Sequence, residues 1–125
     1  MPPRELPGLT VTVDQVVHAP EFSGPPGKPH VFVYFITIAN ESAETVTIKG
    51  RKWVVREASG ETLAVEGDGV VGEFPCLEPG QQFRYNSSHA VAADAVAEGA
   101  YLGLTDAGEA VFTRIPPFEI RVPED

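Results

Sequence analysis

The aliphatic balance constrains this chain more than any motif in it: sixteen valines stand against six leucines. Branching at Cβ removes rotamer freedom on a helix and suits the pleated, half-buried surface of a strand. Twelve glycines and twelve prolines add 24 points of chain interruption among 125 residues. Long helices do not fit between such breaks. Short strands separated by turns do, and that arrangement points to an all-β domain.

The order of residues supports this reading. Residues 9–18 alternate Leu9, Val11 and Val13 with Thr10, Thr12 and Asp14, as one half-buried strand would. Residues 19–29 hold four prolines and two glycines and predict an exposed loop. Residues 30–39 (HVFVYFITIA) are apolar on both parities, the pattern of a strand covered on both faces or lying near an interface. A second long strand is expected over 45–57, bent where Gly50 interrupts it. Ala58-Ser59-Gly60 reads as a hairpin turn into a strand at 61–66. After a glycine-rich crossing at 67–72, further strands are expected at 82–86, 101–105, 110–115 and 118–122, the last two separated by Pro116-Pro117. Residues 89–98 (HAVAADAVAE), with five alanines, read as a short helix or an ordered loop. The sum is seven to eight strands at regular spacing, an antiparallel β-sandwich. Residues 1–8 read as a tail and 9–123 as a single domain.

Charge and cysteine content narrow the function. Eighteen acidic residues against nine basic ones give a net charge of −9. Such a surface repels phosphate backbones, so a nucleic-acid partner is not expected. One cysteine, Cys76, permits no intrachain disulfide and no cysteine-based zinc site. No apolar run has the length of a signal-peptide core or a membrane span, so the expectation is a cytoplasmic protein with no membrane partner.

Several stretches together resemble the ApaG family (DUF525). They are Tyr34-x-Ile36-x-Ile38-x-Asn40, Arg51-Lys52-Trp53, and Gly67-Asp68-Gly69-Val70-Val71-Gly72-Glu73-Phe74-Pro75. Leu77-Glu78-Pro79-Gly80, Phe83-x-Tyr85-x-Ser87 and Ile115-Pro116-Pro117-Phe118-Glu119-Ile120 continue the match, which covers roughly residues 9–123. The resemblance implies an immunoglobulin- or fibronectin-type-III-like sandwich acting as a protein-binding module. In bacteria it implies an association with cobalt and magnesium efflux through no assigned activity. One stretch departs from the family pattern: Ala97 stands where the family carries Met, two residues before Gly99-Ala100-Tyr101.

The chemistry-bearing candidates are few. Gly67, Gly69 and Gly72 form a Gly-x-Gly-x-x-Gly motif, which cradles phosphate when a strand feeds it and a helix N-terminus follows. Here Glu73, Pro75, Glu78 and Pro79 follow, and they start no helix. Two readings remain: the glycines serve the backbone, or Gly67, Gly69, Val70 and Gly72 form an anion nest clamped by Arg51. In the second, Trp53 and Tyr85 supply an aromatic wall and the ligand is phosphate or pyrophosphate. In the first, Trp53 fills the core and Arg51 pairs with Asp68 or Glu73. His18, His30 and His89 lack the spacing of paired metal ligands, so no metal or cofactor is expected. In Ser87-Ser88-His89 the adjacent hydroxyl and imidazole of Ser88 and His89 point to opposite strand faces, so their proximity in sequence argues against a Ser–His dyad, and no catalytic group emerges. Cys76 is expected to be a small buried hydrophobe. The functional expectation is a non-enzymatic binding module with a protein partner, able to self-associate through a sheet edge.

Overall fold

The computed structural model describes residues 3–123, which form nine strands and no helix. In chain order these are β1 (Arg4–Glu5), β2 (Leu9–His18), β3 (His30–Asn40), β4 (Val46–Glu57) and β5 (Thr62–Asp68). β6 (Cys76–Leu77), β7 (Gln82–Val91), β8 (Ala95–Thr105) and β9 (Ala110–Ile120) follow. One sheet runs β1-β9-β8-β4-β5, with β6 also paired to β4; the other runs β2-β3-β7. The two sheets face each other as an open sandwich. All pairings are antiparallel except the short parallel one of β1 on β9.

β3 is the centre of the smaller sheet, which accounts for its apolar sequence. Phe32, Tyr34, Ile36 and Ile38 point into the core and are buried. On the outer face Val31 is buried while Phe35 is exposed, so that face is covered only in part. At the end of the strand Asn40 is completely buried. Its Nδ2 donates to the carbonyls of Glu44 (2.7 Å) and Leu77 (2.8 Å), and its Oδ1 accepts from the Ser42 N–H (3.0 Å). Each such bond contributes about 1 kcal/mol, and leaving these partners unpaired costs more. Asn40 thereby ties the β3–β4 turn to β6.

Three bulges set which residues face inward. In β4 the register shifts between Ile48 and Gly50, which moves the inward set from Val46 and Ile48 to Arg51, Trp53 and Val55. This is the bend expected at Gly50. In β2 a shift between Val13 and Gln15 does the same. In β9 the extra residue lies at Pro116-Pro117, opposite Glu98. The prolines therefore do not divide two strands as expected. A bulge leaves N–H positions outside the ladder, so a proline pair interrupts pairing locally and the strand continues to Ile120.

Other expectations are corrected. The alanine-rich stretch is neither helix nor loop: β7 runs to Val91, β8 begins at Ala95, and only 92–94 turn. Ala95 and Ala97 are buried between β4 and β9, and strand pairing on both sides overrides the helical propensity of alanine. Gly99 in the same strand passes so close to the Lys52 carbonyl that any Cβ would strike it. Cys76 is exposed, because Leu77 takes the inward position of the two-residue β6. Ahead of Leu9, Arg4 and Glu5 pair with Val111 and Phe112, and Leu6 joins the core.

Candidate functional site

The glycine-rich segment is a looped-out excursion at one edge of the larger sheet. β5 runs beside β4 as far as Asp68, and the chain rejoins β4 at Cys76. Between them Val70 and Glu73 exchange backbone hydrogen bonds (2.8 and 2.9 Å), closing a two-residue turn at Val71-Gly72. Both turn residues have positive φ, 44° for Val71 and 83° for Gly72, as a type I′ hairpin turn requires. Asn or Gly suits the first position. A β-branched Val there is strained by about 1–2 kcal/mol. Val70 is completely buried and anchors the excursion, leaving Val71 and Phe74 displayed at its tip, 50% and 53% exposed. Lys49 Nζ lies 5.7 Å from the Phe74 ring centre.

Arg51 and Gly67 are cross-strand partners, and the guanidinium lies flat over Gly67. A Cβ at 67 would come within 2.7–2.8 Å of it. Nη1 donates to the carbonyls of Asp68 (2.8 Å) and Gly69 (3.2 Å). Arg51 is thus held by backbone oxygens rather than by the carboxylates of Asp68 or Glu73. The Gly69 N–H donates to the Lys49 carbonyl (2.8 Å), and the Val70 and Glu73 N–H groups bond each other's carbonyls. The loop therefore presents carbonyl oxygens to the arginine and uses these three N–H groups internally. An anion nest needs the opposite polarity.

The two aromatic candidates lie inside the sandwich. Trp53 is 2% exposed and packs on Tyr34 (ring centres 5.0 Å apart) and His89 (4.8 Å). The Tyr85 hydroxyl bonds the Tyr101 hydroxyl across the layers, and burial pushes both phenols well above their ordinary value. Burial also raises the Tyr34 phenol, an effect opposed by a hydrogen bond with Ser87. Nε2 of His89 is buried with no hydrogen-bond partner, and burial lowers this imidazole to about 4. His18 and His30 lie near each other at another place, with ring centres 6.0 Å apart. No group of three or more His, Cys, Asp or Glu is placed to hold a metal among the described residues.

The structure thus brings Arg51, Gly67 and Gly69 together, puts Gly72 at the loop tip, and buries Val70 and Trp53. The exposed apolar residues around this edge were not singled out from the sequence: Val71 and Phe74 on the loop, and Leu63 and Val65 on β5. A valine directly before glycine in a tight-turn position was the available local signal for the first pair. For β5 there was none.

Comparison with known proteins agrees with this architecture. The model of the family described as DUF525, the ApaG domain, matches residues 20–102. Protein ApaG of Vibrio cholerae is 38% identical over 119 residues, covering 94% of each chain. Protein ApaG of Rhodopseudomonas palustris is 39% identical over 117 residues, 93% of this chain and 89% of that one. Among solved structures, the putative ApaA protein of Bordetella pertussis superposes with a TM-score of 0.84 at 28% identity, covering 99% of this chain and 100% of that chain.

Proposed function

The chain belongs to the ApaG domain family, and from that premise we propose that it is a non-catalytic module that binds another protein in the cytoplasm. One observation carries the reading: the glycine-rich excursion holds a strained turn to display Val71 and Phe74 in water while the N–H groups of Gly69, Val70 and Glu73 are bonded to the carbonyls of Lys49, Glu73 and Val70. Strain kept at an exposed apolar tip favours a contact role over an architectural one. Exposed aromatic and aliphatic side chains on a rigid mount are what a partner's pocket takes up. The association with cobalt and magnesium efflux that the family resemblance implies is, on this reading, made through protein contact. It requires no ion at this domain.

The test is site-specific photo-crosslinking in the host cell, with a benzophenone amino acid at Phe74 and, as control, at exposed Thr10. A discrete adduct of constant mass from position 74, absent from position 10, is expected. Position 74 giving no adduct beyond the control would end this reading.

A further inference from the structure

The two layers of the sandwich are unequal, and the missing part of the smaller one has the dimensions of a single strand. Core contacts place β7 above β4 and β8: His89 meets Trp53, and Tyr85 meets Tyr101. β5 lies one strand further out, beyond β4. Its inward side is identified by register, since Val65 pairs with Trp53 and Leu63 with Val55, both core residues. Leu63 and Val65 therefore point toward the opposite layer, yet they are 43% and 37% exposed. No strand of β2-β3-β7 lies above them.

The wall of this vacancy is the open edge of β7. Among the described residues β7 pairs only with β3, through ten consecutive residue pairs without a bulge. Among the described residues the other edges carry guards: β2 is bulged, β9 beyond its short pairing with β1 is bulged at Pro116-Pro117, β5 bears Glu66 and Asp68, and β1 and β6 are two residues long. β7 carries one charge, Arg84, and no proline. Its outward N–H and C=O groups form an unblocked template. On the outer side Phe22, Gly24 and Pro25 line a groove with Asn86 and Ser88 of β7.

We infer that this step is a β-augmentation site, in which an extended segment of a partner protein adds to β7 as the fourth strand of the smaller sheet and covers Leu63 and Val65. The inference rests on the binding-module reading and names a second contact for it. Geometry selects the occupant. Strands in a sheet lie about 4.8 Å apart and facing sheets about 10 Å apart, so one strand beside β7 sits directly over β5. A second copy pairing β7 to β7 would bring its own β4 into the space that β5 already fills. The site thus accepts an isolated strand and rejects a sandwich edge. Charge selects further: a net charge of −9 attracts a segment with basic residues at its water-facing positions and repels an acidic one, while Arg84, the one charge on β7, excludes a basic residue from the position beside it. Main-chain bonds to β7 would supply affinity, and apolar side chains at alternate positions would fit Leu63 and Val65.

The probe is an acetylated, amidated peptide of alternating Val and Thr with Lys at two water-facing positions. Its counterpart carries Glu at those positions. Each is titrated into the full chain, reading amide and methyl NMR shifts and hydrogen exchange. Saturable shifts at Leu63 and Val65, slowed exchange on alternate β7 amides between Arg84 and Ser88, and at least about tenfold tighter binding of the basic probe are expected. Leu63→Arg and Val65→Arg, each with an unchanged melting temperature, are expected to weaken binding about tenfold or more. Equal binding by these variants, shifts elsewhere, or no saturation with either probe at millimolar concentration overturns the proposal. So does a concentration-dependent dimer that protects β7. A crosslink at Phe74 with an inert β7 would overturn the strand site alone and leave the binding module standing.

Discussion

The two flanks of this sandwich carry the same sequence pattern and end in opposite environments. On one flank β2 lies over β9, the Thr113 hydroxyl donates to the Leu9 carbonyl (2.7 Å), and Leu6 completes the seal. There Leu9 is 4% exposed. On the other flank β5 presents Leu63 and Val65 inward at comparable strand positions, and both remain in water. Burial of an alternating strand is decided by the number of strands in the facing sheet. The closed flank buries its apolar residues against a facing strand, while the open one leaves them in water.

The sharpest way to break this comparison is truncation on each side. Leu9→Ala should cost about 2–5 kcal/mol in urea denaturation, through lost transfer energy and the cavity left behind. Leu63→Ala should stay within about 0.5 kcal/mol of the parent. Similar costs at the two positions would mean that the open flank is covered.

Acid provides the next largest effect, and it acts beside the open flank. His89 has its folded pKa lowered by burial to about 4, from an ordinary value of 6.5. The stability tied to its neutral form is complete above pH 6.5 and is lost as pH falls toward 4. The total is about 3 kcal/mol at 1.36 kcal/mol per unit. Glu57 acts in the same direction at lower pH, because its hydrogen bond with Lys28 holds its carboxyl below the usual range. His89→Phe should flatten the stability profile between pH 6.5 and 4 and leave the Glu57 limb in place; a slope unchanged by the substitution would count against a neutral buried imidazole.

A smaller effect separates display from architecture at the loop. Val71→Asn relieves the positive-φ strain and should stabilise the fold by about 1 kcal/mol. The same change should reduce crosslinking from position 74. A more stable variant with undiminished crosslinking would make the turn purely structural. The smallest effect is expected from Leu63→Arg, within about 0.5 kcal/mol in stability while weakening strand addition about tenfold or more. Circular dichroism melts run beside the peptide titration would check both halves.

Much of the fold was legible in the sequence because its signals are local. Valine content, alternation in Leu9–His18, the proline-rich loop and the bend at Gly50 each depend on a few neighbouring residues. The strand at Ala95–Thr105 was read short because alanine favours a helix unless partners on both sides impose a strand. The strand Ala110–Ile120 was divided at Pro116-Pro117 because a tolerated bulge and a chain break look alike without the partner's register. At the candidate site the glycines were found, but the polarity of their surroundings was not: whether a loop turns N–H groups or carbonyls toward Arg51 depends on φ values that glycine leaves open.

The sequence by itself determined the class, the turns and which side chains share a strand face, since periodicity and steric preference act over a few residues. Only the tertiary structure decided that Trp53 lies in the core, that Cys76 lies outside it, and that Leu63 and Val65 face a vacant strand position. Those outcomes depend on which strands lie opposite one another across about 10 Å. No stretch of one strand encodes the width of the sheet it will face.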